Sequence, residues 1–329
     1  MVITEVFNLF WQFAAERQSI FHRRTRGEPY PWTLDPILST YKFTNAYRAS
    51  DRTSQYLIRR VIYRDDLPST PDELFFRIIL FKLFNRISTW ELLESTLGTV
   101  SWELFSFELY DSILMDALAR HQPIYSSAYI MPPGIQWGHR AKHRNHLQLL
   151  RAMIKDELPH QLTRVSNMQQ AFELLKSYPS IGDFLAYQLV IDINYSELVD
   201  FPENEFVVPG PGALSGIKKC FADYGGLTPT ELIRLVTDRQ DEEFPRLDIE
   251  FESLWGRRLQ LIDCQNLFCE IDKYTRVSHP DIRGTSSRKR IKHHFRPNDS
   301  YLSVWYPPKW GINQRLPQED INPFQERLL

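Results

Sequence analysis

Two segments far apart in the chain carry closely spaced carboxylates, amides and cations, which are the groups that acid–base and anion-binding sites use. The first segment spans residues 42–57. If it is helical, four of its polar side chains share one face and Asn45 lies one turn earlier. The four are Arg48, Asp51, Arg52 and Gln55. Arginine beside a carboxylate at this density suits phosphate recognition, and a structural ion-pair network is the alternative.

The second segment spans residues 254–276, and its spacing predicts a late amphipathic helix. Gln265, Asn266, Glu270 and Lys273 fall on neighbouring faces of that helix. Two interpretations of the last two residues stay open. They form a plain i,i+3 ion pair, or Glu270 is a general base beside a phosphate-binding Lys273.

Residues 177–216 contain two glycine turns that each run into a predicted helix. A turn over Pro179–Gly182 joins predicted helices at 168–178 and 181–193, with Gly182 freeing the backbone. This pattern predicts a helix-hairpin-helix whose amides at Ile181, Gly182 and Asp183 bind a DNA phosphate. The turn Pro209-Gly210-Pro211-Gly212 offers a second amide cradle. An ordinary helix corner and a rigid turn are the respective alternatives.

The charge of the chain excludes a uniformly basic nucleic-acid coat, because its formal net charge is −2. DNA contact then depends on local basic runs at 22–26, 139–144 and 283–296, and the last holds Arg288, Lys289 and Arg290. Three cysteines without a pairing pattern indicate a reducing, intracellular compartment. No apolar stretch reaches the ~20 residues that span a bilayer.

Several motif classes are missing from the sequence. The chain has no phosphate-binding P-loop, no paired-histidine zinc motif and no nucleophile-elbow serine. A P-loop kinase is therefore excluded for this chain. No ligand spacing supports a metal, and we expect no cofactor.

Helical signals dominate, so we expect a mainly α protein with few short strands. Capping boxes are predicted at Thr70 and Thr228, and the first opens one long helix from 74 to 97. Further helices are predicted at 3–22, 145–157, 168–178, 181–193, 212–223, 228–236 and 257–273. Tyr125–Met131 and 206–208 are candidate strands. We expect an integrated core over 1–280 and a basic, then aromatic and proline-rich extension over 281–329.

The turn before Gly182 resembles the hairpin of helix-hairpin-helix DNA glycosylases, with Ser180 in place of the first glycine of their usual Leu-Pro-Gly-Ile-Gly. Phe184 stands where bifunctional members carry a Schiff-base lysine, which argues against strand cleavage by that route. Asp200 and Glu203 lie near the spacing of the glycosylase aspartate. The alternative for both is a surface acid on a loop.

Five motifs in order resemble the alpha-glutamyl/putrescinyl-thymine pyrophosphorylase family, also described as the helical domain associated with 5-hydroxymethyl-deoxyuridine DNA kinases. They lie between about residues 40 and 280, and they are 43–52, 84–90, 181–188, 209–213 and 266–274. The resemblance implies hypermodification of thymine in double-stranded DNA. A separate kinase first phosphorylates 5-hydroxymethyluracil, and an amine from an amino acid or polyamine then replaces the phosphate or pyrophosphate.

On this resemblance, Asp51, Glu270 and Asp200 are the candidate catalytic carboxylates. The base leaves the stack to reach the site. Candidate stacking residues are Tyr47, Trp90 and Tyr187. Candidate phosphate or substrate ligands are Asn45, Arg48, Arg52, Asn85, Arg86, Gly210, Gly212, Asn266 and Lys273. A glycosylase acting on a modified pyrimidine and a non-catalytic DNA-binding module remain the two alternatives.

Overall fold

The computed structural model describes residues 1–127, 131–297 and 302–317, and these are mostly helical. The mainly α prediction is confirmed. In chain order the longer elements are β1 (Val2–Ile3), α1 (Glu5–Thr25), α2 (Pro36–Thr40), α3 (Arg52–Tyr56), α4 (Pro71–Phe84), α5 (Ile87–Leu97), α6 (Phe107–Ala119), α7 (Lys142–Lys155), α8 (Leu158–Leu162), α9 (Met168–Lys176), α10 (Asp183–Ile193), α11 (Pro211–Cys220), β2 (Phe221–Asp223), α12 (Pro229–Asp238), α13 (Gln240–Arg246) and α14 (Leu261–Ser278). A π-helical segment, Leu57–Ile62, follows α3. Short 3-10 helices occur at Arg48–Ser50, Ile135–Trp137, Pro308–Trp310 and Asn313–Arg315.

The chain divides into two compact units. The first combines Met1–Asp51 with Glu203–Leu329, and the second is Arg52–Pro202. Both ends of the sequence therefore contribute to one unit. The predicted domain boundary near residue 280 lies inside this first unit.

The first unit is organised around α1, α11 and α14. Apolar side chains of α1 are buried, and the ring of Phe10 lies 4.7 Å from that of Phe268 on α14. Helices α11 and α14 pack very closely, because a Cβ placed on Gly216 would lie 1.9 Å from the carbonyl oxygen of Phe268. Strands β1 and β2 pair antiparallel, and Thr4 N donates to Cys220 O at 2.9 Å.

The second unit is built on α4, where every residue from Glu73 to Phe84 is buried. The predicted single helix from 74 to 97 is wrong. It breaks at Asn85, which has a left-handed backbone (φ 47°) and ends α4. The buried amine of Lys82 donates to Asn85 Oδ1 at 2.9 Å and pairs with Asp192 at 3.2 Å. A buried tertiary ion pair thus stabilises a helix end that local propensity does not signal.

The two predicted capping boxes differ in outcome. At Thr228 both reciprocal bonds with Glu231 are present, as predicted. At Thr70 the cap residue is correct but its side chain makes no capping bond. The carboxylate of Glu73 instead accepts main-chain hydrogen bonds from Trp102 and Glu103, both at 2.9 Å. Glu73 therefore forms long-range hydrogen bonds in place of the predicted local capping bond.

The structure also differs from the sequence-based expectations in other segments. Residues 42–57, which were considered as a possible helix, are not one helix, because Asp51 is extended (ψ 144°) between a 3-10 turn and α3. Residues 206–208 form no strand. Of Tyr125–Met131, residues 128–130 lie outside the described residues and the others are not strand. The ends of the helices predicted at 3–22 and 212–223 are partly strand, since β1 and β2 pair across 218 or more residues of sequence.

None of the helices in the described ranges is both long enough and apolar enough to cross a membrane.

Candidate active site

Two carboxylates in the first unit are held by adjacent main-chain amides. Thr44 N donates to Glu270 Oε2 at 3.0 Å, and Asn45 N donates to Asp51 Oδ1 at 2.7 Å. Glu270 comes from α14, whereas Asp51 follows the 3-10 turn after Asn45. Two predicted carboxylates, 219 positions apart in sequence, therefore belong to one polar cluster.

Arg17 on α1 binds the loop that contains Thr44 and Asn45. Its Nε donates to Thr44 O at 2.9 Å, and its Nη2 donates to Asn45 Oδ1 at 2.7 Å. Asn45 also donates from Nδ2 to Ser50 O at 2.6 Å, so its amide group is used on both sides. Arg17 was not among the residues predicted from the sequence. No local motif marks it, because its partners lie 27 and 28 residues further along the chain.

Helix α14 supplies Asn266, Glu270 and Lys273 from one face, since these residues are spaced by four and three. Lys273 Nζ lies 2.6 Å from Glu270 Oε2 and 4.5 Å from the centre of the Phe43 ring. Asn266 is half-buried, and its side chain makes no hydrogen bond with the rest of the described chain. The face carries a cation, an acid and an amide free to bind a ligand.

Asp51 is half-buried, and burial raises the pKa of its carboxyl group to about 6. The Asn45 amide and the charge of Arg17 oppose this rise in the pKa, whereas the charge of Glu270 adds to it. Only one oxygen of Asp51 is hydrogen-bonded within the described residues. The carboxylate therefore has a free oxygen and an affinity for protons close to that needed near neutral pH.

A second buried acid, Asp263, lies behind the cluster. Its Oδ1 accepts a hydrogen bond from Arg48 N at 2.8 Å, and its Oδ2 accepts one from Gln260 N at 3.0 Å. Burial raises the pKa of Asp263 to about 7 despite these two bonds. Asp263 was not among the residues predicted from the sequence. The spacing Gln260-x-x-Asp263 is a capping-box pattern, which indicates that Asp263 caps the start of α14.

A narrow, partly open cleft adjoins the cluster and shares Arg17 and Phe43 with it. The other lining residues are Ile20, Arg24, Tyr30, Trp32, Thr33, Leu38, Ser39, Tyr41 and Phe295. We call this the aromatic cleft. The basic run 283–296 borders it, because Lys42 N donates to His293 O at 3.0 Å and Phe295 N donates to Thr40 O at 2.9 Å. The basic run was predicted from the sequence, whereas the cleft was not.

The three predicted stacking residues lie in the protein core. Tyr47 is 1% exposed, Trp90 2% and Tyr187 0%. The hydroxyl of Tyr47 donates to Arg257 O at 2.7 Å, and Trp90 packs edge-on against Phe81. With these exposures, none of the three rings offers a face to an incoming base.

Other predicted ligands are used by the fold. Gly212 allows α11 to approach α14, because a Cβ there would lie 2.9 Å from Cys269 Sγ. Gly210 is buried and precedes α11. Close helix packing therefore accounts for Gly212, and phosphate binding by the amides of this turn stays a prediction. Main-chain Arg48 N binds Asp263, and Arg48 itself is buried.

Four of the predicted catalytic residues and ligands belong to the second unit. Arg52 and Asp200 are exposed there. Asn85 binds Lys82, and Arg86 Nε donates to Ser88 Oγ at 2.9 Å. The structure brings Asn45, Asp51, Glu270 and Lys273 together, with Asn266 on the face that α14 shares with the last two. Roles for these residues stay predictions.

The predicted hairpin turn joins α9 and α10, but its backbone differs from the expectation. Ser180, not Gly182, takes the left-handed conformation (φ 69°), and Gly182 has φ −87° as the cap of α10. Ile181 is buried, and Asp183 pairs with Lys176 at 2.8 Å. Nothing lies within 4 Å of a Cβ built on Gly182. DNA binding by this turn stays a prediction.

Arg288, Lys289 and Arg290 are all exposed, which fits the predicted contact with a phosphate backbone. Within the ranges that the structure describes, no group of three or more His, Cys, Asp or Glu side chains is arranged to hold a metal ion.

A comparison with family models matches residues 4–284 to the helical domain of 5-hmdU DNA kinase. The chain belongs to this family. The match ends close to residue 280, where the sequence becomes basic and then proline-rich. The family predicted from the motifs is confirmed at this level, whereas pyrophosphorylase activity and kinship with glycosylases stay predictions.

A curated relative in this 5-hmdU DNA kinase family comes from Bacillus phage SP10 and is named "5-hmdU DNA kinase". It is 26% identical to the chain over 323 residues, which cover 91% of the chain and 50% of the relative. The chain thus spans about half the length of that protein. No solved structure matches the chain.

Proposed function

We propose that this chain transfers an amine onto phosphorylated 5-hydroxymethyluracil in DNA, with release of phosphate or pyrophosphate. The family match and the name of the phage relative support a role in handling this modified base. The observation that carries the proposal is the pair of carboxylates on adjacent amides, one of which, Asp51, has its pKa raised to about 6.

The reaction needs a proton acceptor and a site for a departing anion. The amine nitrogen attacks the methylene carbon attached to C5 of the base, a C–N bond forms, and the C–O bond to the phosphate breaks. The phosphate keeps the bonding pair, and the nitrogen gives up a proton. Asp51 has a free oxygen for that proton. A carboxylate with a pKa near 6 accepts it better near pH 7 than an ordinary aspartate does.

Cations next to the carboxylates suit the leaving group. Lys273 is hydrogen-bonded to Glu270 at 2.6 Å, and Arg17 binds the same loop that holds both acids. In the ground state Glu270 balances the charge of Lys273. We propose that Lys273 shifts toward the phosphate as negative charge builds up on its oxygens.

We do not assign phosphorylation of the base to this chain. It contains no P-loop for the ATP phosphates. A separate DNA base kinase would supply the substrate, and the other reactant would be a small amine. Duplex DNA is the macromolecular partner.

The proposal is tested by mass spectrometry of nucleosides. The protein is incubated with duplex DNA that contains phosphorylated 5-hydroxymethyluracil, together with amino acids and polyamines. We expect a new nucleoside that carries one amine, formed by wild type and by Arg120→Gln but not by Asp51→Asn. Arg120 is an exposed cation at the end of α6 and provides the matched control.

Two other results would replace the proposal. Free base with abasic DNA would make the chain a glycosylase, which would use Asp200 or Glu203. Glu203 already forms an ion pair with Arg257 at 3.0 Å, which makes it less suited to assist cleavage of a glycosidic bond. DNA that binds but stays unchanged with every amine would make the chain a binding module.

A further inference from the structure

We propose that the aromatic cleft receives the extruded base, with its phosphoryl group bound by Arg24 and Arg17. The ligand is a pyrimidine that carries a phosphorylated hydroxymethyl group and is still attached to DNA. This inference rests on the proposed function, because it names the pocket for the same substrate.

The charges of the cleft call for an anion. Arg17 and Arg24 project from α1 two turns apart, and the eleven lining residues that lie in the described ranges include no carboxylate. The guanidinium of Arg24 forms neither an ion pair nor a hydrogen bond with the described parts of the chain, and its Nε is buried. A buried guanidinium N–H without an acceptor is costly, and a phosphate oxygen would satisfy it.

The walls of the cleft suit a flat ring. Trp32 is 4% exposed, and the guanidinium of Arg24 lies 4.9 Å from its ring centre. Trp32 therefore supports Arg24 rather than contacting the ligand. Tyr30 is 42% exposed and packs edge-on against Trp32, which leaves its own ring available. Extruded bases are commonly held by stacking on such rings.

The cleft is also placed next to a surface for the DNA backbone. The main-chain bonds of Thr40 and Lys42 to residues 293 and 295 fix one end of the basic run at the rim. Phe295 lines the cleft itself, while Arg288, Lys289 and Arg290 are exposed a few residues earlier. A duplex held by these cations would present its base to the cleft.

The test measures binding, so it does not depend on turnover. We compare Kd for two duplexes that differ at one base, phosphorylated 5-hydroxymethyluracil or thymine, with no amine added. We expect wild type to prefer the modified duplex at least about 10-fold. Arg24→Gln and Tyr30→Ala should remove most of that preference and leave the Kd for the thymine duplex within about 2-fold. Arg120→Gln should keep it.

Each outcome decides the inference. The cleft assignment would be wrong if the wild type bound both duplexes equally. It would also be wrong if Tyr30→Ala, at an exposed site, and a folded Arg24→Gln variant both kept the preference for the modified duplex. Preference abolished in both variants would support it even if no amine adduct ever forms. In that case the transfer reaction alone would fail, and the chain would be a reader of the modified base.

Discussion

At the residue scale, the environment of Asp51 opposes its ionised form. Burial and the neighbouring Glu270 raise its pKa from 3.8 to about 6. The hydrogen bond from the Asn45 main-chain amide and the charge of Arg17 lower the pKa and offset this rise only in part. The folded state therefore binds this proton more tightly than the unfolded state does. The stability that this preference contributes is full below about pH 4 and is lost as the pH rises through 6.

The variant Asp51→Asn should therefore be more stable than wild type at pH 8, by on the order of 1–2 kcal/mol after allowance for the partial exposure of the site. The amide keeps an oxygen for the Asn45 N–H and carries no charge. The gain should nearly vanish below pH 4, where Asp51 is neutral. Urea unfolding at pH 8 and at about pH 3.5 measures both values.

The same variant should lose about 100-fold or more in the rate of amine transfer, the usual loss for a general base. For wild type, we expect the single-turnover rate to fall as the pH drops below about 6. A variant that is less stable at both pH values would show that Asp51 is a structural residue instead.

Part of this cluster was predictable from residue types, although its local structure was not. A helix would have placed Asn45 one turn before Asp51, whereas in the structure the extended backbone at Asp51 allows its side chain to reach the Asn45 amide. Glu270 and Lys273 were predictable as an i,i+3 pair. Arg17 and the aromatic cleft were not, because contacts between α1, residues 28–43 and residue 295 leave no periodic signal in the sequence.

At the element scale, the close packing of α11 and α14 depends on two glycines one turn apart. Gly216→Ala should lower the free energy of unfolding by about 3 kcal/mol or more, because its Cβ would meet main-chain atoms of Phe268 that cannot move aside. Gly212→Ala should cost about 1 kcal/mol, since the group in its way is the side chain of Cys269.

Denaturant unfolding of the two variants checks this order. Gly182→Ala is the control for stability, because Gly182 has an ordinary φ and open space in front of it. If Gly216→Ala is as stable as the control, the close approach of the two helices is not a requirement of the fold.

Helix ends that are set by neighbouring residues were predicted well. Those that depend on contacts with distant parts of the chain were not. The capping box at Thr228 is closed by its own neighbours, so the sequence alone locates the start of α12. The end of α4 depends on Lys82 and Asp192, which are 110 residues apart. The pairing of β1 with β2 depends on residues from the two chain segments that form the first unit. Neither contact can be predicted from a short stretch of neighbouring residues.

At the scale of the whole molecule, the chain is nearly neutral, so the DNA binding that we propose would depend on where the cations lie. We expect the triple variant Arg288→Ala, Lys289→Ala, Arg290→Ala to weaken binding to any duplex at low salt. The slope of log affinity against log salt should decrease by up to about 3, near one unit for each phosphate that the variant no longer neutralises.

Fluorescence anisotropy across a salt series measures this slope. The control removes the same charge from three exposed cations of the second unit, Arg120, Lys155 and Arg164. A control that flattens the slope as much as the triple variant would mean that net charge, and not the basic run, attracts DNA.

The division of the first unit between the two ends of the sequence also sets an order of assembly on the ribosome. Helix α1 emerges before the second unit, whereas its partner α14 begins only at Leu261, after the whole of Arg52–Pro202 has been made. At about 5–20 residues per second this delay is roughly 10–50 s. During that time the apolar side of α1, with Phe10 and Trp11, has no α14 to cover it. We therefore expect chaperones to bind the exposed apolar side of α1 on the nascent chain until α14 emerges and covers it.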